Sequence, residues 1–155
     1  MDIHDVMDRK TARIHLGRPM RLAAEILVLT QAGYLMVVDD DDRFVGVLSE
    51  GDLLHAIMPD FEGLMESGAT LAEAYQIFLR SGAEYADQPI DRLVVRRSIQ
   101  LKPGDELLKA ATVMLTKRIP RLPVLDGEDF VGSVSRADIC WALLCGPAQR
   151  SAERS

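Results

Sequence analysis

Cysteine is scarce in this chain: Cys140 and Cys145 are the only two in 155 residues. Five apart on a predicted helix, they fall on different faces and show neither C-x-x-C metal spacing nor a disulfide framework, so two buried thiols of a reducing compartment are expected. Aromatics make up 5% of the chain with one tryptophan, Trp141, so aliphatic side chains fill the core and Trp141 reads as a packing or interface anchor. Positive charge is the minority sign. Eighteen Lys and Arg face 24 Asp and Glu for a net charge of −6, which argues against broad binding to nucleic acid or an anionic membrane. A small anion held in a local cationic pocket is not excluded by that sum. Histidine is also sparse: His4, His15 and His55 are dispersed and form no nucleophile–base constellation, so no catalytic residue is assigned. Long apolar runs are missing. The most apolar stretch, Leu22–Val38, is broken by Glu25, Thr30, Gln31 and Gly33, so no membrane span is expected. Met1–Asp8 carries three aspartates and no leader pattern, and a cytoplasmic location is expected. The acids Asp39–Asp42 read as a solvated hairpin turn, not as a metal site.

What is present is a repeat. Phe44-Val45-Gly46-Val47-Leu48-Ser49-Glu50-Gly51-Asp52-Leu53 returns as Phe130-Val131-Gly132-Ser133-Val134-Ser135-Arg136-Ala137-Asp138-Ile139, with Phe, Val, Gly, Ser and Asp identical at an offset of 86. Upstream, Ala24–Asp39 matches Ala111–Asp126 at an offset of 87, the length change falling in the turn Asp40–Arg43. A duplicated segment of about fifty residues is the mark of a supersecondary unit that buries its apolar face against a second copy. The copies run from near Thr11 to Met58 and from near Ser98 to Cys145.

Each copy reads strand–helix–strand–strand–helix. Leu22–Ala32 and Leu107–Lys117 have helical apolar spacing, with Gly33 and Pro120 as their stops. Tyr34–Val38 with Phe44–Leu48, and Leu122–Leu125 with Phe130–Val134, read as hairpins. Ser49 and Ser135 stand where a helix N-cap belongs, and an Asp three residues on suits the positive helix end. Pro59–Gln88 has no counterpart: it predicts two amphipathic helices separated by Ser67-Gly68-Ala69, with Thr70 and Glu73 as a capping box. That insert is either a helical linker covering the core or a dimer or partner surface.

The repeated Gly-x-x-Ser-x-x-Asp has a chemical reading. Gly46 or Gly132 would let the strand approach a ligand closely. Ser49 or Ser135 offers a hydroxyl at a helix N-terminus, which favours phosphate. Asp52 or Asp138 offers two acceptor oxygens, which suit the paired hydroxyls of a ribose. The same pattern is also an ordinary helix cap, and for one copy alone that reading prevails. Its duplication shifts the balance.

These motifs, with Leu122-Pro123-Val124-Leu125-Asp126 in one copy and Met36-Val37-Val38-Asp39 in the other, resemble a cystathionine β-synthase (CBS) domain pair. The resemblance implies an α/β (α+β) fold of two units packed as a pseudo-twofold pair with facing sheets and two clefts. It divides the chain into a first unit at 1–58, the insert at 59–88, a second unit at 89–146 and a flexible tail at 147–155. It also implies an adenosine ligand, AMP, ADP, ATP or S-adenosylmethionine, with no required cofactor. Asp52 and Asp138 would hold ribose, and Ser49 and Ser135 would face phosphate. Tyr34, Leu35 and Met36, or Arg121, Leu122 and Pro123, would line the base, with Thr11 and Ser98 near the nucleotide. A homodimer and a regulated protein partner are further implications. Met36 in place of Pro123, Glu50 in place of Arg136, and the cluster Lys117, Arg118 and Arg121 make the second copy the better expected phosphate site, although Lys117 reads as ordinary solvated surface. The expected role is thus a non-catalytic regulatory module, with an interaction protein whose clefts are empty or vestigial as the alternative.

Overall fold

The computed structural model describes residues 1–146, so the expected tail at 147–155 lies outside the described residues. The first copy follows the expected order: β1 (Arg13–His15), α1 (Met20–Thr30), β2 (Tyr34–Val38), β3 (Phe44–Ser49) and α2 (Glu50–Ile57). The insert forms α3 (Phe61–Glu66) and α4 (Leu71–Tyr85), and the second copy forms α5 (Leu107–Thr116), β4 (Arg121–Asp126), β5 (Asp129–Ser135) and α6 (Arg136–Leu144).

Three expectations are corrected. Helix α1 ends at Gln31, not Gly33: Gln31 takes a left-handed φ of 52°, and its side-chain amide donates to the Val28 carbonyl. Both cysteines are exposed rather than buried, Cys140 within α6 and Cys145 at its C-cap. The first strand of the second copy shrinks to a single parallel bridge, Leu101 to Val124. Proline explains this. In the first copy the Met36 N–H donates to the Ala12 carbonyl at 3.1 Å and extends the β1–β2 pairing, whereas Pro123 at the matching position has no N–H to give.

The chain forms two compact units that interleave the copies. Among the described residues, one holds Met1–Thr11, Asp42–Phe44 and 97–146; the other holds Ala12–Asp41 and Val45–Arg96. Each hairpin therefore receives the lead segment of the opposite copy. In the β4–β5 unit, Ile3, Met7, Leu101, Leu107, Met114, Leu122, Val124 and Val134 share one core. In the β2–β3 unit the core holds Ile14, Met20, Leu27, Leu35, Val37, Leu48, Ile90 and Val94.

The two lead segments dock alike. Ile3 donates its N–H to Asp105, and Ile90 to Arg18, both at 2.9 Å. Asp8 and Ser133 exchange backbone bonds at 2.8 and 3.0 Å, and Val95 and Val47 do the same at 2.9 and 3.1 Å. The duplication thus reaches back to Ile3 and Ile90, well before Thr11 and Ser98.

This docking sets the role of the repeated glycine. A Cβ on Gly132 would lie 2.6 Å from the Asp8 carbonyl oxygen, and one on Gly46 would lie 2.4 Å from that of Val95. The close approach that these glycines admit is made by protein backbone, which corrects the expectation of a ligand there. The insert helices leave Leu71 and Tyr75 exposed, and Met58, Phe61, Leu71, Tyr75 and Phe78 line an apolar hollow of about 760 Å³. No helix among the described residues is long and apolar enough to cross a membrane.

Gly46→Ala and Gly132→Ala should each destabilise the protein by about 1–3 kcal/mol or more, because the obstructing atom is backbone that cannot rotate away. Gly104→Ala, with nothing within 4 Å of its Cβ, serves as the control and should shift the urea midpoint little.

Candidate functional site

Helices α2 and α6 begin with the same closed cap. Ser49 Oγ accepts from the Asp52 N–H at 3.1 Å while Asp52 accepts from the Ser49 N–H at 2.8 Å. Ser135 and Asp138 repeat this at 3.1 and 2.7 Å, and the Ser135 hydroxyl also donates to Asp138 Oδ2 at 2.7 Å. Both motif pairs therefore serve first as capping boxes. At Asp138 one oxygen, Oδ2, takes both bonds, which leaves Oδ1 for another donor.

Around the second cap lies a buried polar chain. Arg121 stands directly across the hairpin from Ser135. Its Nη1 donates to Ser133 Oγ at 2.7 Å, Ser133 meets Thr11 Oγ1 at 2.7 Å, and Thr11 donates to the Asp8 carbonyl at 2.7 Å. One proton order satisfies all three bonds. A carbonyl only accepts, so the single Thr11 proton goes to Asp8; Ser133 then donates to Thr11 and accepts from Arg121. Ser133 is fully buried and Thr11 nearly so. Thr11, expected beside a nucleotide, thus has its hydroxyl fully engaged within the protein.

Arg121 is under-bonded. Its side chain is 15% exposed, its nearest carboxylate oxygen on Asp8 is 3.9 Å away, and its buried Nε has no hydrogen-bond partner. A partly buried guanidinium whose occluded Nε goes unpaired carries a desolvation cost. Arg136, the other expected phosphate contact, turns away: its Nη2 donates to the Met114 carbonyl at the end of α5, at 2.9 Å.

The repeat places less polar residues at the matching positions. Tyr34 stands for Arg121, Val47 for Ser133, Val95 for Asp8 and Ser98 for Thr11. The Ser98 hydroxyl is buried and has no hydrogen-bond partner. Leu35 and Leu122 point into the cores of their units, so only their backbones remain for a base. Met36 is fully buried and has its N–H bonded to Ala12, and the Pro123 carbonyl accepts from Leu101 at 2.9 Å. Sequence reasoning missed Asp8 and Ser133. The signal for Ser133 was available: a hydroxyl where the repeat has Val47, inside an apolar strand.

The CBS domain family model matches this chain over residues 3–59 and 90–145. The uncharacterized protein MJ1426 of Methanocaldococcus jannaschii is 29% identical over 119 residues, covering 70% of this chain and 71% of that protein. The crystal structure of CBSX2 in complex with AMP superposes with a TM-score of 0.70 at 22% identity, covering 92% of this chain and 96% of the other. The CBS domain pair of MJ0100, in complex with 5′-methylthioadenosine and S-adenosyl-L-methionine, superposes with a TM-score of 0.65 at 19% identity, covering 96% and 98%.

Ser133→Val removes the acceptor of Arg121 and the donor to Thr11 together. Chemical denaturation should show a loss of about 1–3 kcal/mol, the cost of stranding buried polar partners. Combining it with Arg121→Met should restore part of that loss, because the stranded cation is then gone; strict additivity would contradict the bond chain.

Proposed function

This chain belongs to the CBS domain family, and from that premise we propose that it is a cytoplasmic regulatory module that binds an adenosine derivative and does no chemistry of its own. The observation that carries the reading is Arg121, a partly buried guanidinium set across the hairpin from Ser135, beside the cap that Ser135 shares with Asp138. An anionic ligand oxygen would pair with the exposed part of the guanidinium through a charge-assisted bond. Asp138 Oδ1 would take a ribose hydroxyl, and the exposed start of α6 favours negative charge. AMP bound to CBSX2, and methylthioadenosine and S-adenosylmethionine bound to the MJ0100 pair, support that ligand class. AMP, ADP, ATP and S-adenosylmethionine are the candidates. Ligand binding would regulate a partner protein by favouring one arrangement of the module over another, which requires different affinities for the two.

A second reading, an interaction protein with vestigial sites, is favoured by one observation: the apolar hollow lined by Met58, Phe61, Leu71, Tyr75 and Phe78. The two readings are compatible in a homodimer whose insert helices face a partner.

Thermal unfolding separates them. AMP at about a hundred times its Kd should stabilise the native state by about 2.7 kcal/mol and raise Tm by several degrees. No shift with any of the four candidates at millimolar concentration would leave the interaction reading. By calorimetric titration, Asp138→Ala should weaken AMP binding more than Asp52→Ala. Equal losses would contradict the preference for the second copy.

A further inference from the structure

We infer that the apolar hollow between α3 and α4 is a docking groove for a cationic amphipathic helix of a partner protein. The inference rests on the partner-binding part of the reading above and names the chemistry of that partner, without calling on the adenosine site.

The hollow is built on the segment 59–88, which the second copy lacks. Its helices do little for the fold beneath them. Of α3 and α4 only Ala74 is buried, and among the described residues of the insert Tyr85 alone packs against the core of the β2–β3 unit. Met58, Phe61, Leu71 and Tyr75, which wall the hollow, stay between 45% and 69% exposed. Large apolar side chains gathered in water forfeit their burial energy, and such a group marks a contact surface. Leu79, also exposed, follows Leu71 and Tyr75 at one-turn intervals on α4 and carries the apolar row on. From Leu71 to Leu79 that row spans about 12 Å. A row of this kind suits a helix laid against it with apolar anchors at i, i+3, i+4 and i+7, and Phe61 and Tyr75 are the rigid aromatic type that dominates such contacts.

Charge decides which helix. The segment 59–88 holds six carboxylates and one cation, Arg80, and so carries most of the chain's net charge of −6. Asp60 and Glu62 bracket Phe61, and Glu66 follows Glu62 one turn on along α3. Glu62 and Glu66 are exposed, and neither carboxylate has a hydrogen-bond or ion-pair partner among the described residues. An apolar floor with free carboxylates beside it selects a helix whose apolar stripe is flanked by lysine and arginine. It disfavours a second copy of this chain, because a symmetric interface brings the same carboxylates face to face. It disfavours an anionic membrane surface for the same reason.

Two synthetic helices are the probes, each with leucines at i, i+3, i+4 and i+7; one has lysines at the remaining positions and the other glutamates. Fluorescence anisotropy of the labelled peptides, titrated with the full chain, should show the lysine helix bound at least about tenfold more tightly, by a margin that shrinks as salt is raised. Leu71→Ser with Tyr75→Ser should weaken the lysine helix about tenfold or more, whereas Leu108→Ser, at an exposed leucine of α5, should leave it within about twofold. Glu62→Lys with Glu66→Lys should weaken the lysine helix about fivefold and strengthen the glutamate helix. Every substituted side chain is exposed, and circular dichroism checks that the fold is kept.

Equal binding of the two helices, no binding of either, or a lysine helix indifferent to Leu71→Ser with Tyr75→Ser would overturn the inference. So would phosphatidylglycerol vesicles that displace the lysine helix, or self-association in sedimentation that the same double substitution abolishes. In each of these cases a Tm raised by AMP would leave the adenosine reading standing. Selective binding of the lysine helix with no AMP shift would sustain this inference and remove that reading.

Discussion

Two reciprocal pairs of backbone hydrogen bonds, Asp8 with Ser133 and Val47 with Val95, hold each hairpin to a lead segment that belongs to the other copy. Much else follows from them. They demand Gly132 and Gly46, because no Cβ fits where the crossing backbone lies. They bring Ile3 and Ile90, both fully buried, into the cores. In the β4–β5 unit they also deliver Thr11 to Ser133, and so fix Arg121. A duplicated chain built this way exchanges segments between its halves, and neither copy completes its own core with its own lead.

The same crossing makes the copies chemically unequal. Where the second hairpin has Ser133, the first has Val47, and this one change decides whether a hydroxyl relay exists. With Ser133 present, a guanidinium can be buried beside Ser135 and oriented by neutral oxygens. With Val47 in its place, a cation at Tyr34 would have no matching acceptor from that strand. The chemistry of the two copies diverges at strand positions whose backbone roles stay the same.

Much of the architecture was legible in the sequence because the duplication preserves apolar periodicity and caps. The hairpins, the insert helices, the N-caps at Ser49 and Ser135 and the capping box at Thr70 were all read from local patterns. The lead segments were not, because Met1–Thr11 and its counterpart share little beyond Ile3 with Ile90 and Arg9 with Arg96. Their likeness lies in backbone bonding, which leaves few constraints on side chains. The glycines were noticed and explained by the wrong neighbour, since sequence cannot say whether a ligand or a strand occupies the space. Ser133 was passed over because a polar residue in a strand reads as solvent-facing until a partner such as Thr11, 122 residues away, is known. The start of the second copy failed at Pro123, where the missing N–H shortens a strand that the repeat alone would predict.

Native-state hydrogen exchange tests the crossing most directly. If the exchanged pairs hold each unit together, the amides of Asp8, Ser133, Val47 and Val95 should exchange only through global unfolding, at the free energy of the slowest core amides such as Val37 and Val124. Fast exchange at Asp8 and Val95, with the hairpin cores still protected, would show lead segments that merely rest on the surface, and would contradict this account.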